Sequence, residues 1–311
     1  MFKKKVRTPQ QKLMRRYRGF QVGFFSLLIA LGFIVYFNYD YWVFKFLIAN
    51  NYVFTEALDE LYTQHIYEEN RRSFHRDFDR MVISVVTQQI REINADRFTY
   101  LYSPQQHEAV REWEATVARR ARIESLTEDT VLLYIPNMSL ISSNFVYDNR
   151  QYLAGYRNLV LDLRGNPGGL LEDFHWMAGL FIGNRAVIAH ETTRWRLFSR
   201  TIRTPRRDAF FDFDEIIILQ NTRTASAAEG LILALQAHLP NVRTIGYTTF
   251  GKGIGQVTIP LTGGYAVRAT VMLLEGPNHE SIHVIGITPD IPAEEDMIAQ
   301  ALRLLYESCL E

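Results

Sequence analysis

Two short stretches hold the residues best suited to chemistry, Asn221-Thr222-Arg223-Thr224-Ala225-Ser226-Ala227-Ala228-Glu229 and Thr249-Phe250-Gly251-Lys252-Gly253-Ile254-Gly255-Gln256. The first places Ser226 where an apolar strand pattern turns into a helix pattern. The second sets Lys252 between two glycines, with Gln256 four residues on. A serine hydroxyl attacks a carbonyl only once a base takes its proton, and lysine replaces histidine as that base in some sites. The lysine must be neutral, which requires burial or nearby positive charge. The flanking glycines allow tight backbone packing around the amine. Gln256 offers it a hydrogen-bond partner without a charge, whereas a carboxylate would favour the protonated form.

Ser226 is predicted to stand at the N-terminus of a helix over 227–239, where free backbone N–H groups and the positive end of the helix dipole favour an oxyanion. Asn166-Pro167-Gly168-Gly169 forms a second turn into a helix and offers further amides, at Gly168 or Gly169. Each signal has an ordinary reading. Ser226-Ala227-Ala228-Glu229 is also a capping box, Lys252 an exposed hairpin lysine, and Gly168-Gly169 a tight turn.

The elements that must position these residues follow from periodicity. Helices are expected over Thr55–Tyr67, Phe78–Ile93, Gln105–Arg122, Leu170–Phe181, Ala227–Leu239 and Glu294–Leu310. Strands are expected over Val131–Ile135, Asn158–Leu163, Glu215–Leu219, Thr244–Gly246, Gln256–Leu261 and Tyr265–Leu274. Alternating strands and helices predict an α/β core.

The 34 Lys and Arg residues balance the 34 Asp and Glu, but eight of the basic side chains lie within residues 1–18, which carry no acid. The rest of the chain is therefore net acidic, which argues against a nucleic-acid partner. The single cysteine, Cys309, permits no intrachain disulfide. Gly19–Tyr39 contains no charged residue, and about 20 apolar residues cross a bilayer. Tyr36, Tyr39, Tyr41 and Trp42 suit an interfacial belt, and the basic flank places the N-terminus in the cytoplasm. No small-x-small cleavage site follows in 38–42. The expected organisation is a basic cytoplasmic tail (1–18), a transmembrane signal anchor (19–42), a helical region (43–125) and a core (126–311). The core then lies outside the cytoplasm, in a periplasm or at the cell exterior.

The runs NLVLDLRGNPGGLLEDFHWMAGLFIG, IIILQNTRTASAAEG, TIGYTTFGKGIGQVTIPL and GITPDI, in that order, resemble the carboxyl-terminal processing (tail-specific) serine peptidases over about residues 126–295. Asp96–Pro104 continues the resemblance upstream. It implies Ser226 as nucleophile, Lys252 as base and Gln256 as the residue orienting that lysine. Ala227 and one glycine of Gly168-Gly169 fall at the oxyanion-hole backbone positions. The resemblance further implies a crotonase-like (ClpP/crotonase) ββα superhelix, a protein or peptide substrate, and N-terminal helices that often mediate homodimers. It implies no metal or cofactor. The family commonly carries a PDZ domain between its N-terminal helices and its first core strand. The eight residues here between the helix expected to end at Arg122 and the strand expected to start at Val131 are too few for a domain, which needs at least about 50.

His279-Glu280-Ser281-Ile282-His283 spells the H-E-x-x-H zinc motif, but it is flanked by turn and strand residues, and zinc requires both histidines on one helix face. A catalytically silent, membrane-anchored binding or scaffold protein on the same fold is the alternative from a different class. A crotonase-type acyl-CoA enzyme would share the fold without needing the Ser/Lys pair.

Overall fold

Alternate residues of three neighbouring strands enter two separate cores, which fixes a sheet covered on both faces. In the computed structural model, which describes residues 9–54, 76–195, 199–294 and 296–308, these strands are β3 (Thr130–Tyr134), β4 (Asn158–Asp162) and β7 (Glu215–Gln220). Val131, Leu133, Leu159, Leu161, Ile216 and Ile218 join one apolar cluster, and Leu132, Val160, Ile217 and Leu219 another. This is the period-2 alternation of a strand with helices above and below it.

The six-stranded sheet has the order β11-β8-β7-β4-β3-β2, counting β2 (Arg122–Ser125), β8 (Val242–Gly246) and β11 (Ile291–Pro292). All its pairings are parallel except that of β2 with β3. Phe174 and Met177 of α5 (Leu171–Phe181) and Leu231 and Leu235 of α6 (Ala227–His238) cover one face. Met297, Ala301 and Leu305 of α7 (Met297–Ser308) cover the other.

A second, antiparallel sheet is centred on β10 (Ala266–Glu275), which pairs with β1 (Tyr100–Tyr102), β5 (Val187–Thr193) and β9 (Ile254–Pro260), while β5 pairs with β6 (Arg200–Arg203). Against it lie α2 (Arg76–Ile93) and the end of α1 (Pro9–Asn51). Phe44, Leu47, Ile48, Ile83, Ile90, Val267 and Ala269 form their shared core. Within α1, Tyr17–Ile48 is long and apolar enough to cross a membrane.

Of the expected elements, the helix over 55–67 lies outside the described residues. The helix expected to reach Arg122 ends earlier, as α3 (Pro104–Ala118), because Arg122 already belongs to β2. The helix α4 (Leu140–Leu153) was not expected. Its polar run Ser-Ser-Asn carries little apolar periodicity, and it is set by the cap in which Ser139 accepts from Ser142 N.

Candidate active site

The site forms where two parallel strands end. Chains leaving β4 and β7 turn side by side, the position at which open α/β sheets expose backbone groups to ligands. Asn166 links these turns. Its Nδ2 donates to Ile135 O at 3.0 Å, its Oδ1 accepts from Gly168 N at 2.9 Å, and its carbonyl accepts from Ala225 N at 2.9 Å. Thr224 Oγ1 donates to Leu163 O at 2.9 Å, binding the β7 turn to the β4 turn.

Ser226 follows at φ +56°, ψ −122°, a strained conformation for a residue with a side chain, and is 8% exposed. It directly precedes α6, so the amides of the first helical turn lie beside it. Gly168 is packed against it. A Cβ added there would sit 2.7 Å from Ser226 Cβ and 2.9 Å from Ala227 N. The Gly168 amide is committed to Asn166, whereas Gly169 N has no acceptor among the described hydrogen bonds.

Lys252 reaches the same place through Glu229. This fully buried carboxylate accepts four hydrogen bonds. Ser226 N donates to Oε2 at 2.7 Å and Lys252 N to Oε2 at 2.9 Å. Gly251 N donates to Oε1 at 2.8 Å, and Thr249 Oγ1 donates to the same oxygen. Glu229 thus caps its own helix and also clamps the lysine loop to the serine turn. Phe250 N donating to Thr224 O at 2.9 Å is a further tie. Gly251 (φ +80°) allows close approach of the 282–286 loop, since a Cβ there would lie 2.9 Å from Gly286 N.

The Lys252 amine lies 5.0 Å from the centre of the Phe98 ring and makes no hydrogen bond among the described residues. Burial pushes its pKa down to about 8, with the Arg268 charge adding to the effect, against Glu229, Glu114 and Asp96, which act in the opposite direction. Gln256 is on β9, opposite Thr270 of β10, and its buried Nε2 has no partner among the described residues. The backbones of Ser226, Ala227, Gly168, Gly169 and Lys252 are therefore brought together. Gln256 lies on the adjoining strand, without a hydrogen bond to the lysine among those described.

The H-E-x-x-H segment is not helical. His279 has φ +63° in a turn after β10 and stacks on His190 at 3.8 Å, while His283 stacks on Phe54 at 6.0 Å. Among the described residues no group of three or more His, Cys, Asp or Glu side chains is placed to hold a metal.

A family model described as peptidase family S41 matches residues 129–293, over half of the chain. The chain belongs to peptidase family S41. Its S41 relatives include the carboxy-terminal-processing protease of Bartonella bacilliformis, 39% identical over 146 residues, which cover 47% of this chain and 32% of that protein. The carboxy-terminal processing protease CtpA of Bacillus subtilis is 36% identical over 140 residues, covering 45% and 29%. The chain thus matches about a third of the length of these curated relatives. Among solved structures, a lipoprotein from Streptococcus agalactiae superposes with a TM-score of 0.67 at 18% identity, covering 87% of this S41 chain and 96% of the other. That likeness extends the common fold well beyond the S41 match.

Two functional features were not visible in the sequence. The role of Glu229 beyond its own cap depends on contacts with Thr249, Gly251 and Lys252, twenty and more residues away. Asp96 is a second hub, 3% exposed. It accepts from Tyr52 Oη at 2.9 Å, Thr99 Oγ1 at 2.6 Å and Phe98 N at 2.9 Å, and so positions the ring beside Lys252. Burial and the Asp96 charge together raise the Tyr52 pKa, keeping that phenol a donor.

Proposed function

We propose that this chain is a membrane-anchored serine endopeptidase working outside the cytoplasm, on a crotonase-like ββα core, and cutting proteins at or near their C-terminal region. The observation that carries the reading is the Glu229 carboxylate, which bonds the amides of Ser226 and Lys252 through one oxygen. Ser226 Oγ attacks the peptide carbonyl carbon while neutral Lys252 takes its proton. The amides of Ala227 and the Gly168-Gly169 turn, with Gly169 the uncommitted one, hold the oxyanion. The C–N bond then breaks, and the Lys252 ammonium protonates the departing amine. Water, deprotonated by the same lysine, attacks the acyl ester and frees Ser226. Gln256 orients the lysine once substrate closes the site.

The reading includes an N-terminus in the cytoplasm, α1 as the anchor, and no PDZ domain between the N-terminal helices and the core. In support of the last point, α3 ends at Ala118 and β2 starts at Arg122. Substrate selection then falls to the cleft and the membrane. The test is the full chain in vesicles with unstructured fluorescent casein. Ser226→Ala and Lys252→Ala are each expected to lower the rate at least about 10³-fold. Cleavage unchanged in Ser226→Ala would end the reading of Ser226 as nucleophile, and casein left intact by the wild type would favour a catalytically silent binding protein on this fold.

A further inference from the structure

The anchor helix does not end at the membrane. Phe20 is 72% exposed and Ile34 43%, yet Asp40 in the same helix is 2% exposed. Asp40 accepts from Thr262 N at 2.8 Å and from Thr262 Oγ1 at 2.6 Å, and Arg80 of α2 donates to Thr262 O at 3.1 Å. Beyond it Phe44, Leu47, Ile48 and Tyr52 are buried against α2, β9 and β10. The exposed aromatics Tyr36, Tyr39 and Trp42 lie at the changeover, where an interfacial belt belongs. One unbroken helix thus passes from the segment able to span a bilayer into the domain core, leaving no loop to act as a hinge.

This continuity fixes the height of Gln256, on the strand that follows the lysine loop. From Asp40 to Tyr52 the helix rises about 18 Å. Just past its end, Val53 N donates to Thr270 O at 3.2 Å, and Thr270 is the register partner of Gln256. The return path agrees, since Thr262 to Gln256 along β9 is about 20 Å of extended chain. A helix tilt of about 20° would lower this height by only about 1 Å. Tyr102 and Arg268 lie between the Asp40 end and Gln256, with Arg268 opposite Thr258 in the same ladder and its guanidinium 5.4 Å from the Tyr102 ring centre.

The geometry points to a substrate class: the unfolded flanks of other proteins embedded in the same bilayer, cut no closer than about six or seven residues from where they leave it. This rests on the anchored-peptidase reading above. An extended chain needs about six residues to climb 20 Å, plus about one more for the sideways step around the anchor helix. Beyond that floor a tether to the same membrane raises the effective concentration, and the gain declines as the tether lengthens. A rigid stalk makes the floor sharp.

The experiment places the full chain in phosphatidylcholine–phosphatidylglycerol vesicles with a designed Leu/Ala transmembrane peptide bearing outward casein-derived tails of 3, 8, 12 and 40 residues. Cut positions are mapped by mass spectrometry. The expected result is no cutting of the 3-residue tail and none within the first six residues of any tail. The 12-residue tail should be cut at least about tenfold faster than the same tail as a free peptide at equal bulk concentration. A second protein carries seven helix-forming residues, Glu-Ala-Ala-Ala-Lys-Ala-Ala, between Asn38 and Tyr39. This adds about 10 Å with little change of helix phase, so the floor should move outward by about three residues. Cuts inside the floor, a floor unmoved by the insertion, or equal rates for tethered and free tails would each overturn the proposal. Soluble casein separates the two readings. If casein is cut by the full chain but not by Ser226→Ala, the peptidase reading stands whatever the tails show; if it is not, that reading fails first.

Discussion

Ser226 N and Lys252 N donate to one oxygen, Glu229 Oε2, at 2.7 and 2.9 Å. Neither residue can shift far without breaking a charge-assisted hydrogen bond in a buried site. In Glu229→Gln the amide NH₂ must face either the Ser226 and Lys252 N–H groups or the Gly251 N–H and the Thr249 hydroxyl. Each buried donor left unmatched costs about 1–3 kcal/mol, so urea denaturation should report a loss of about 2–4 kcal/mol. Loss of the negative charge also removes a group that holds the proton on Lys252. The pH midpoint of whatever activity remains should therefore move down. A midpoint left in place would reduce Glu229 to a structural strut.

Lys252 sets the pH dependence of the wild type. With its pKa pushed down to about 8, roughly a tenth of the molecules hold a neutral amine at pH 7. Initial rates on casein should rise with pH, reach half their plateau near pH 8 and level off above it; a midpoint near that of free lysine would remove Lys252 from the role of base. Stability also rises with pH, but over a higher window. Between about pH 8 and 10.5 the unfolded chain binds more protons at this residue than the folded one, so folding stability rises across that window. Lys252→Met, which buries no charge, should be more stable than wild type below pH 8, with the advantage shrinking towards pH 10.5.

Arg268 is the main charge depressing the Lys252 pKa, while Glu229, Glu114 and Asp96 raise it. Arg268→Gln should therefore move the activity midpoint upward, and Glu114→Gln downward. Both side chains reach solvent, so the two displacements should shrink in 1 M salt, where the screening length falls to about 3 Å. Displacements that survive high salt would point to altered packing around Tyr102 instead.

The parts of this site that are local in the chain were legible in the sequence. The strand β7, the turn into α6, the Gly168-Gly169 turn and the Gly251-Lys252-Gly253 loop each have a signature within ten residues. The capping reading of Ser226 and Glu229 was sound as far as it went, since Ser226 N does donate to Glu229. What the sequence did not disclose is long-range. The other bonds of Glu229, and the hub of Tyr52, Asp96, Thr99 and Thr270, join segments brought together only by the two sheets. The strands β1 and β6 escaped for another reason. They are three and four residues long, and β6 is mostly exposed, so neither shows an alternating apolar pattern.

Gly165 and Gly168 separate backbone strain from site geometry. Both have positive φ, +76° and +87°. A Cβ at Gly165 would meet only Arg223 Nη2, at 3.9 Å, whereas one at Gly168 would meet Ala225 O and Ser226 Cβ at 2.7 Å and Ala227 N at 2.9 Å. Gly165→Ala should therefore bear only the left-handed backbone cost, about 1–2 kcal/mol, and keep its kcat. Gly168→Ala adds a collision with the serine turn and must displace Ser226 and Ala227. Its kcat should fall at least about 10²-fold, the loss typical of one oxyanion donor, while far-ultraviolet circular dichroism stays that of the wild type. Equal activity in the two variants would mean that the Gly168-Gly169 turn does not hold the oxyanion.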